Sequence, residues 1–295
     1  MPSEPAEPAE PAEPSLPTRY GAVTDTGGRR AANEDAVLAR HPVFCVADGM
    51  GGHARGAMAS GAVVAAFGDL ADRLADDGAG LGGEVSPEQV HEAVVDAQAR
   101  IRAELGLSAP ESEAEMTAGS TLAGVVLTRA DDRLCWLAFN VGDSRIYRWS
   151  GAGLRRISVD HSVVQELIDA GEIDEEQART HPMRNMITRA VGSGVDVTPD
   201  FWLLAATSGD RILLCSDGLV NELDEAEIAA TLGDGDDAEA AARRLLARAT
   251  AHGARDNVSV VVVDLELPGD VDEVTAPRLA GAYDPEDTMP REYAR

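Results

Sequence analysis

Apolar runs that stop on a carboxylate recur along this chain, and that repetition constrains its fold more than any other feature. Residues 42–47 (Pro-Val-Phe-Cys-Val-Ala) have the aliphatic, β-branched content of a buried strand and end on Asp48-Gly49-Met50-Gly51-Gly52-His53. Residues 211–216 run into Asp217-Gly218, and residues 134–141 into Gly142-Asp143-Ser144. Asp256-Asn257 stands directly before the valine-rich run that begins at Val258, and Glu34-Asp35 precede Val37-Leu38. Taken singly, an Asp-Gly pair is a turn signal. Repeated at the ends of several core strands, such acids can converge on one rim of a sheet, where they repel one another unless cations sit among them. The glycines after Asp48 let the backbone approach a ligand closely, so main-chain carbonyls can join the carboxylate in binding it.

The order of elements points to an α+β fold. Strands are expected at residues 20–25, 42–47, 122–128, 134–141, 145–149 and 154–157. An Asp131-Asp132 turn joins the third and fourth of these, and the run from 122 to 157 reads as consecutive antiparallel strands, which argues against a doubly wound parallel sheet. Residues 201–206 and 211–215 read as a further strand pair, and the strand from Val258 closes the domain near Leu267. Small and apolar residues at helical spacing predict a helix from about His53 to Leu74. Ser86-Pro87-Glu88-Gln89 carries an N-cap, a first-turn proline and a capping-box glutamine, so a helix is expected from there to Leu105. A short helix is expected at residues 163–170, then helices at 224–232 and 237–252, the last stopped by Gly253. Residues 171–199 have weak periodicity and read as irregular, part of a flap spanning about 161–199.

Composition narrows the partners. With 295 residues and 44% hydrophobic content a sizeable core is within reach, and one domain over residues 18–267 is expected. Residues 1–17, rich in Pro, Ala and Glu, and the acidic residues 268–295 read as disordered tails. Asp and Glu number 52 against 25 Lys and Arg, a formal charge of -27 that disfavours nucleic acid and anionic membranes and suits a cation site. No apolar run approaches the ~20 residues of a bilayer span, and no basic-then-apolar leader opens the chain, so a cytoplasmic protein is expected. Cys45, Cys135 and Cys215 sit inside strand-like runs without ligand spacing and read as buried thiols.

Arg30 with Glu34-Asp35, the Asp48 to His53 stretch, Gly119-Ser120-Thr121, Gly142-Asp143-Ser144-Arg145, Ser216-Asp217-Gly218-Leu219 and Asp256-Asn257 together resemble the ordered motif set of the metal-dependent serine/threonine protein phosphatases of type 2C, in their bacterial form. The resemblance spans residues 20–267. It implies a four-layer sandwich of two central antiparallel sheets flanked by helix pairs, with two Mn2+ or Mg2+ ions in a channel at one edge. It makes Asp48 the carboxylate shared by both metals, with the Gly49 carbonyl on one of them. Asp217 and Asp256 complete the first metal, Glu34 and Asp35 hold or order waters at the second, and Asp143 resembles the ligand of a third, weaker ion. The residue types agree: an oxygen-only, aspartate-rich set suits hard octahedral cations and offers zinc neither thiolate nor imidazole. Two such ions about 3.5–4 Å apart can share a water, lower its pKa and aim it at phosphorus. Direct attack without a phosphoenzyme is therefore expected.

Arg30 is the expected phosphate clamp, since a guanidinium fork matches two phosphate oxygens, with Arg29 as the competing candidate. The general acid stays open. Met50 stands where the eukaryotic branch carries a histidine, so His53 or a metal-bound water could serve, while His161 and His181 read as flap structure. The implied substrates are phosphoserine and phosphothreonine on proteins that cytosolic kinases phosphorylate, sigma-factor regulators among them, and a monomer is the default. Two other classes stand beside this one. The same fold with weak or dead chemistry would be a phosphoprotein-binding module, and an acidic calcium binder would need a twelve-residue loop that is absent.

Overall fold

The computed structural model describes residues 18–52, 54–76, 83–107, 118–131, 133–192 and 197–266. Both tails, His53 and the connections at 77–82 and 108–117 lie outside them. In chain order the elements are β1 (Thr18–Asp25), β2 (Asp35–Arg40), β3 (Val43–Met50), α1 (Ala54–Asp76), α2 (Pro87–Glu104), β4 (Gly119–Ser120), β5 (Leu122–Ala130), β6 (Arg133–Val141), β7 (Arg145–Ser150) and β8 (Gly153–Arg156). They continue as α3 (Val163–Asp169), α4 (Glu175–Thr180), β9 (Asp200–Ala205), β10 (Arg211–Cys215), α5 (Asp217–Val220), α6 (Glu225–Gly233), α7 (Ala238–His252) and β11 (Val258–Leu265).

Two antiparallel sheets stack face to face. One runs in the order β1-β11-β10-β7-β8, the other β2-β3-β5-β6-β9, with β4 paired to β3. Three cores separate four layers. Phe44, Val46, Val125, Trp136, Ile146, Ile212, Leu214 and Val261 fill the space between the sheets. Val43, Cys45, Phe139 and Leu137 face outward against Val63, Phe67 and Leu70 of α1 and Val94 and Ile101 of α2. On the other side, Leu213, Cys215, Val260 and Val262 meet Ile228 and Leu232 of α6 and Ala241 and Leu245 of α7. Alternate side chains of one strand therefore enter different cores, as the two-residue strand period requires. The three cysteines are buried free thiols within these strands.

Local signals act as the sequence suggests. Ser86 and Gln89 close a reciprocal capping box at α2, Asp224 and Glu227 another at α6, and Gly253 takes φ 123° where α7 stops.

Three expectations are corrected. Strands β9 and β10 are not a pair: β9 joins β6 and β10 joins β7 and β11, so the five residues between them carry the chain from one sheet to the other. Burial gives the reason. Every residue of β10 is buried, which demands neighbours on both sides, whereas β9 has the part-exposed pattern of an edge strand. Likewise β6 and β7 are consecutive in sequence but lie in different sheets, so Gly142-Asp143-Ser144 is a crossing between sheets and not a hairpin. The irregular flap contains a helix, α4, started by an Asp174/Gln177 capping box; with six residues it is too short to show a periodic stripe. A further one-turn helix, α5, begins on Asp217 itself.

Candidate active site

The acids meet where strand ends from both sheets come together. Asp48 near the end of β3 lies opposite Asp35 at the start of β2. Asp217 follows β10 directly, and the backbone of Gly218 is packed on the residue after Asp256: a Cβ there would stand 2.0 Å from the Asn257 carbonyl oxygen. Asp143 occupies the sheet crossing after β6. Thr121 ties that crossing to Asp48, because its hydroxyl accepts the Asp48 N–H at 2.9 Å and meets the Ser144 hydroxyl at 2.7 Å. The Thr121 N–H returns to the Asp48 carbonyl at 2.9 Å.

Burial and mutual repulsion make these carboxyls weak acids. Burial is the main cause for Asp48, which is raised well above the ordinary range, with the fields of Asp35, Asp217, Asp143 and Asp256 adding to it. Asp217 is pushed up to about 8 by burial, then by Asp143, Asp256 and Asp35. Asp35 rises to about 6, chiefly through burial, with Asp256 adding to it; Asp143 rises to about 6 through burial and then Asp160. Both carboxylate oxygens of Asp35 and Oδ1 of Asp217 are buried without a hydrogen-bond partner. Buried oxygens in that condition carry a desolvation cost that a hard cation would relieve. Among the described residues, no three acid, histidine or cysteine side chains have already closed into a ligand set. In chemistry these oxygen donors fit Mn2+ or Mg2+.

Glycine is required at the centre of this arrangement. A Cβ on Gly49 would come within 2.1 Å of the Gly56 carbonyl oxygen in the first turn of α1 and 2.5 Å of the Glu34 carbonyl oxygen. The Gly49 N–H donates to that Glu34 carbonyl at 3.1 Å, and the Ser60 hydroxyl donates to it at 2.6 Å. The Glu34 carboxylate lies over Gly56, where a Cβ would stand 2.5 Å from Oε2. Asn257 holds the loop that presents Glu34: its Oδ1 accepts the Glu34 N–H at 2.9 Å, and its Nδ2 donates to the carbonyls of Thr26 and Ala32.

Arg30 does not reach out as a free clamp. Its Nη2 donates to Oδ2 of Asp256 at 2.6 Å, and this half-exposed guanidinium faces the acid cluster. Arg145, from the same motif as Asp143, grips Asp160 at 2.8 Å through Nη2, and Arg156 holds Asp160 from the other side. Those arginines brace the neighbourhood of Asp143 and are spent on Asp160. His161 is buried, with Nδ1 accepting the Gly142 N–H at 3.0 Å and Nε2 placed 3.1 Å from Asp200 Oδ2. Although burial opposes it, hydrogen bonds from His161 and Arg189 hold the Asp200 carboxyl down to about 2. His181 Nδ1 accepts the Met183 N–H inside the flap. His53 falls outside the described residues.

The sequence shows Thr121 and Asn257 as members of motifs but assigns them no role. Their hydrogen-bonding side chains beside the acids were the available signal. The contribution of Ser60 had none, being a small residue in a helix.

The structure is a two-sheet sandwich between helix pairs, with a rim of buried carboxylates where strand ends of both sheets meet. The chain belongs to the family described as Protein phosphatase 2C, whose match covers residues 28–258. It is 38% identical over 287 residues to the serine/threonine protein phosphatase PstP of Mycobacterium tuberculosis, a match covering 95% of this chain and 51% of that protein, so the chain spans about half the length of this relative. It is 33% identical to the serine/threonine phosphatase stp of Listeria innocua over 251 residues, 83% of this chain and 94% of that one. Among solved structures, the catalytic domain of PstP in complex with two manganese ions aligns with TM-score 0.73 and 34% identity, covering 85% of this chain and 99% of that chain. No helix among the described residues is long and apolar enough to cross a membrane.

Proposed function

We propose that this chain is a protein phosphatase that hydrolyses phosphoserine and phosphothreonine on proteins with the help of two divalent cations, Mn2+ or Mg2+. One observation carries the reading. Five acids from distant parts of the chain face one another at a single rim, where their burial and mutual field push several of them toward holding protons and leave oxygens of Asp35 and Asp217 without partners. In this reading Asp48, with the Gly49 carbonyl beside it, would help hold the cations. Asp217 and Asp256 complete one site, Glu34 and Asp35 serve the other, and Asp143 offers a third, weaker one. When bound, the cations would supply Lewis acidity toward a water and toward the phosphoryl oxygens, which makes water, and not a side chain, the expected nucleophile.

The chain's own contributions follow from its geometry. Loading requires the acids to give up their protons, which replaces mutual repulsion by attraction to the cations. Thr121 keeps Asp48 and the Ser144 side of the sheet crossing in register, and Asn257 keeps the Glu34 loop against β11. Arg30 gives up Asp256 on loading and turns its fork to the substrate phosphate. The substrates are phosphoproteins made by serine/threonine kinases.

Hydrolysis of p-nitrophenyl phosphate and of a phosphothreonine peptide with Mn2+, Mg2+, Ca2+ or EDTA tests this reading. Activity with Mn2+ that EDTA abolishes is expected. A protein inactive with Mn2+ that still binds the phosphopeptide would replace the enzyme by a binding module, and a phosphoenzyme trapped by rapid quenching would end the direct-attack mechanism.

A further inference from the structure

The sheet crossing that carries Asp143 is held at Ser144 by the Thr121 hydroxyl and at the Gly142 carbonyl by Asn140, whose Nδ2 donates to it at 3.0 Å. Gly142 sits at φ 98°, and a Cβ there would stand 2.7 Å from Cγ2 of Thr121, so no side chain can be used at that position to pack the turn. A residue from the flap holds both backbone groups of Gly142 as well. The N–H of His161 donates to the Gly142 carbonyl at 2.9 Å, and its Nδ1 accepts the Gly142 N–H at 3.0 Å, a reciprocal clamp on both peptides that flank Gly142. From the same residue, the carbonyl accepts the Thr188 N–H at 2.8 Å and Nε2 stands 3.1 Å from Oδ2 of Asp200. Asp200 is the first residue of β9, and its Oδ1 accepts from Nη1 of Arg189 at 2.7 Å. Arg189 also donates to the Thr198 carbonyl at 3.2 Å.

The tautomer is fixed by these partners. A backbone N–H can only donate, so Nδ1 carries no proton and Nε2 donates to Asp200. Both ring nitrogens are therefore engaged at fixed partners. The ring joins two bodies: on one side the turn bearing Asp143, on the other the returning arm of the flap, which is pinned to β4 by the Ser120–Val191 bridge and to the start of α3 by the Ser162–Ile187 bridge.

We infer that His161 is a positioning residue that couples the flap to the Asp143 turn: its Nδ1 sets the Gly142 peptide and its Nε2, through Asp200 and Arg189, sets the flap arm. The inference rests on the phosphatase reading for its kinetic consequence. Any ligand that displaces the flap also moves Asp143, and by linkage the occupancy of Asp143 biases the flap.

Two isosteres separate the two halves of the ring. In His161→Asn the side-chain carbonyl can still accept the Gly142 N–H but cannot reach Asp200. In His161→Gln the terminal amide can reach Asp200 but leaves the Gly142 N–H without its acceptor. Amide hydrogen exchange on the metal-free proteins reads the coupling without any catalysis. His161→Asn and Arg189→Ala are expected to speed exchange at Val163 and Thr188 by roughly tenfold, and His161→Gln to speed it at Gly142 and Asp143. In the phosphopeptide assay, His161→Asn and Arg189→Ala are expected to raise KM with kcat near wild type, while His161→Gln lowers kcat and raises the Mn2+ concentration for half-activation several-fold. Arg189 is half-buried at the surface, so its variant keeps the test alive if either histidine variant fails to fold. Identical exchange patterns in the two histidine variants, or unchanged flap exchange in Arg189→Ala, would overturn the coupling. Loss of catalysis in every variant and the wild type, with the exchange pattern as expected, would refute only the phosphatase reading.

Discussion

Removing one charge from the acid rim gives a test whose sign is unusual for an active-site substitution. Asp217 is held at about 8 against an ordinary 3.8, mainly by burial. An acid held above its ordinary range binds its proton more tightly folded than unfolded, so stability falls as pH rises between the two values. From 3.8 to pH 7 the penalty accumulates at about 1.4 kcal/mol per pH unit, to a ceiling of about 4 kcal/mol. Asp217→Asn removes that penalty with little change of volume, and its amide oxygen can still accept the Asn221 Nδ2 bond, 3.0 Å long in the wild type. In excess EDTA the variant is expected to melt higher than wild type at pH 7, by up to roughly 10 °C for a domain of this size. The gap should close as pH falls below 3.8, where wild-type Asp217 becomes protonated in both states. Adding Mn2+ should raise the melting temperature of wild type and leave that of the variant nearly unchanged. Differential scanning fluorimetry across pH with EDTA or Mn2+ measures all of this. A variant that melts no higher than wild type in EDTA, or that keeps the full Mn2+ response, would refute the placement of Asp217 as a strained cation ligand.

Gly49→Ala is expected to cost about 3 kcal/mol or more, because its Cβ would meet the Gly56 and Glu34 carbonyl oxygens at 2.1 and 2.5 Å and both are backbone; chemical denaturation measures it. Thr121→Val keeps the shape but leaves the buried Asp48 N–H without an acceptor, so a loss of about 1–3 kcal/mol is expected, together with a higher Mn2+ requirement in the phosphopeptide assay. If Arg30 clamps the phosphate as proposed, Arg30→Ala should raise KM by roughly tenfold, while calorimetry should find Mn2+ bound more tightly because Asp256 loses its 2.6 Å guanidinium partner. Unchanged KM would remove Arg30 from the site. Asp200→Asn should lower stability at pH 7 and lose that difference as pH falls toward 2, because the wild-type carboxyl, held at about 2, gives up its advantage as it protonates; acid titration followed by circular dichroism reads the crossing.

What the sequence determined by itself was local. Apolar runs before Asp143 and Asp217 fixed where β6 and β10 stop, although β3 runs on through Asp48 to Met50, and the Ser86/Gln89 box and Gly253 fixed helix ends, because those signals act within a turn or a strand. The ordered motifs, taken together as a resemblance, supplied the sandwich and the candidate ligands. Tertiary structure decided who meets whom. Periodicity states which faces of a strand are buried but names no partner, so β9 and β10 looked like neighbours until their burial placed one at an edge and the other inside the opposite sheet. The same limit hid the contact of Arg30 with Asp256, 226 positions apart, and the hold of His161 on Gly142. Hydrogen bonds of that kind depend on where two backbones arrive after packing, and no local pattern in the chain encodes that meeting.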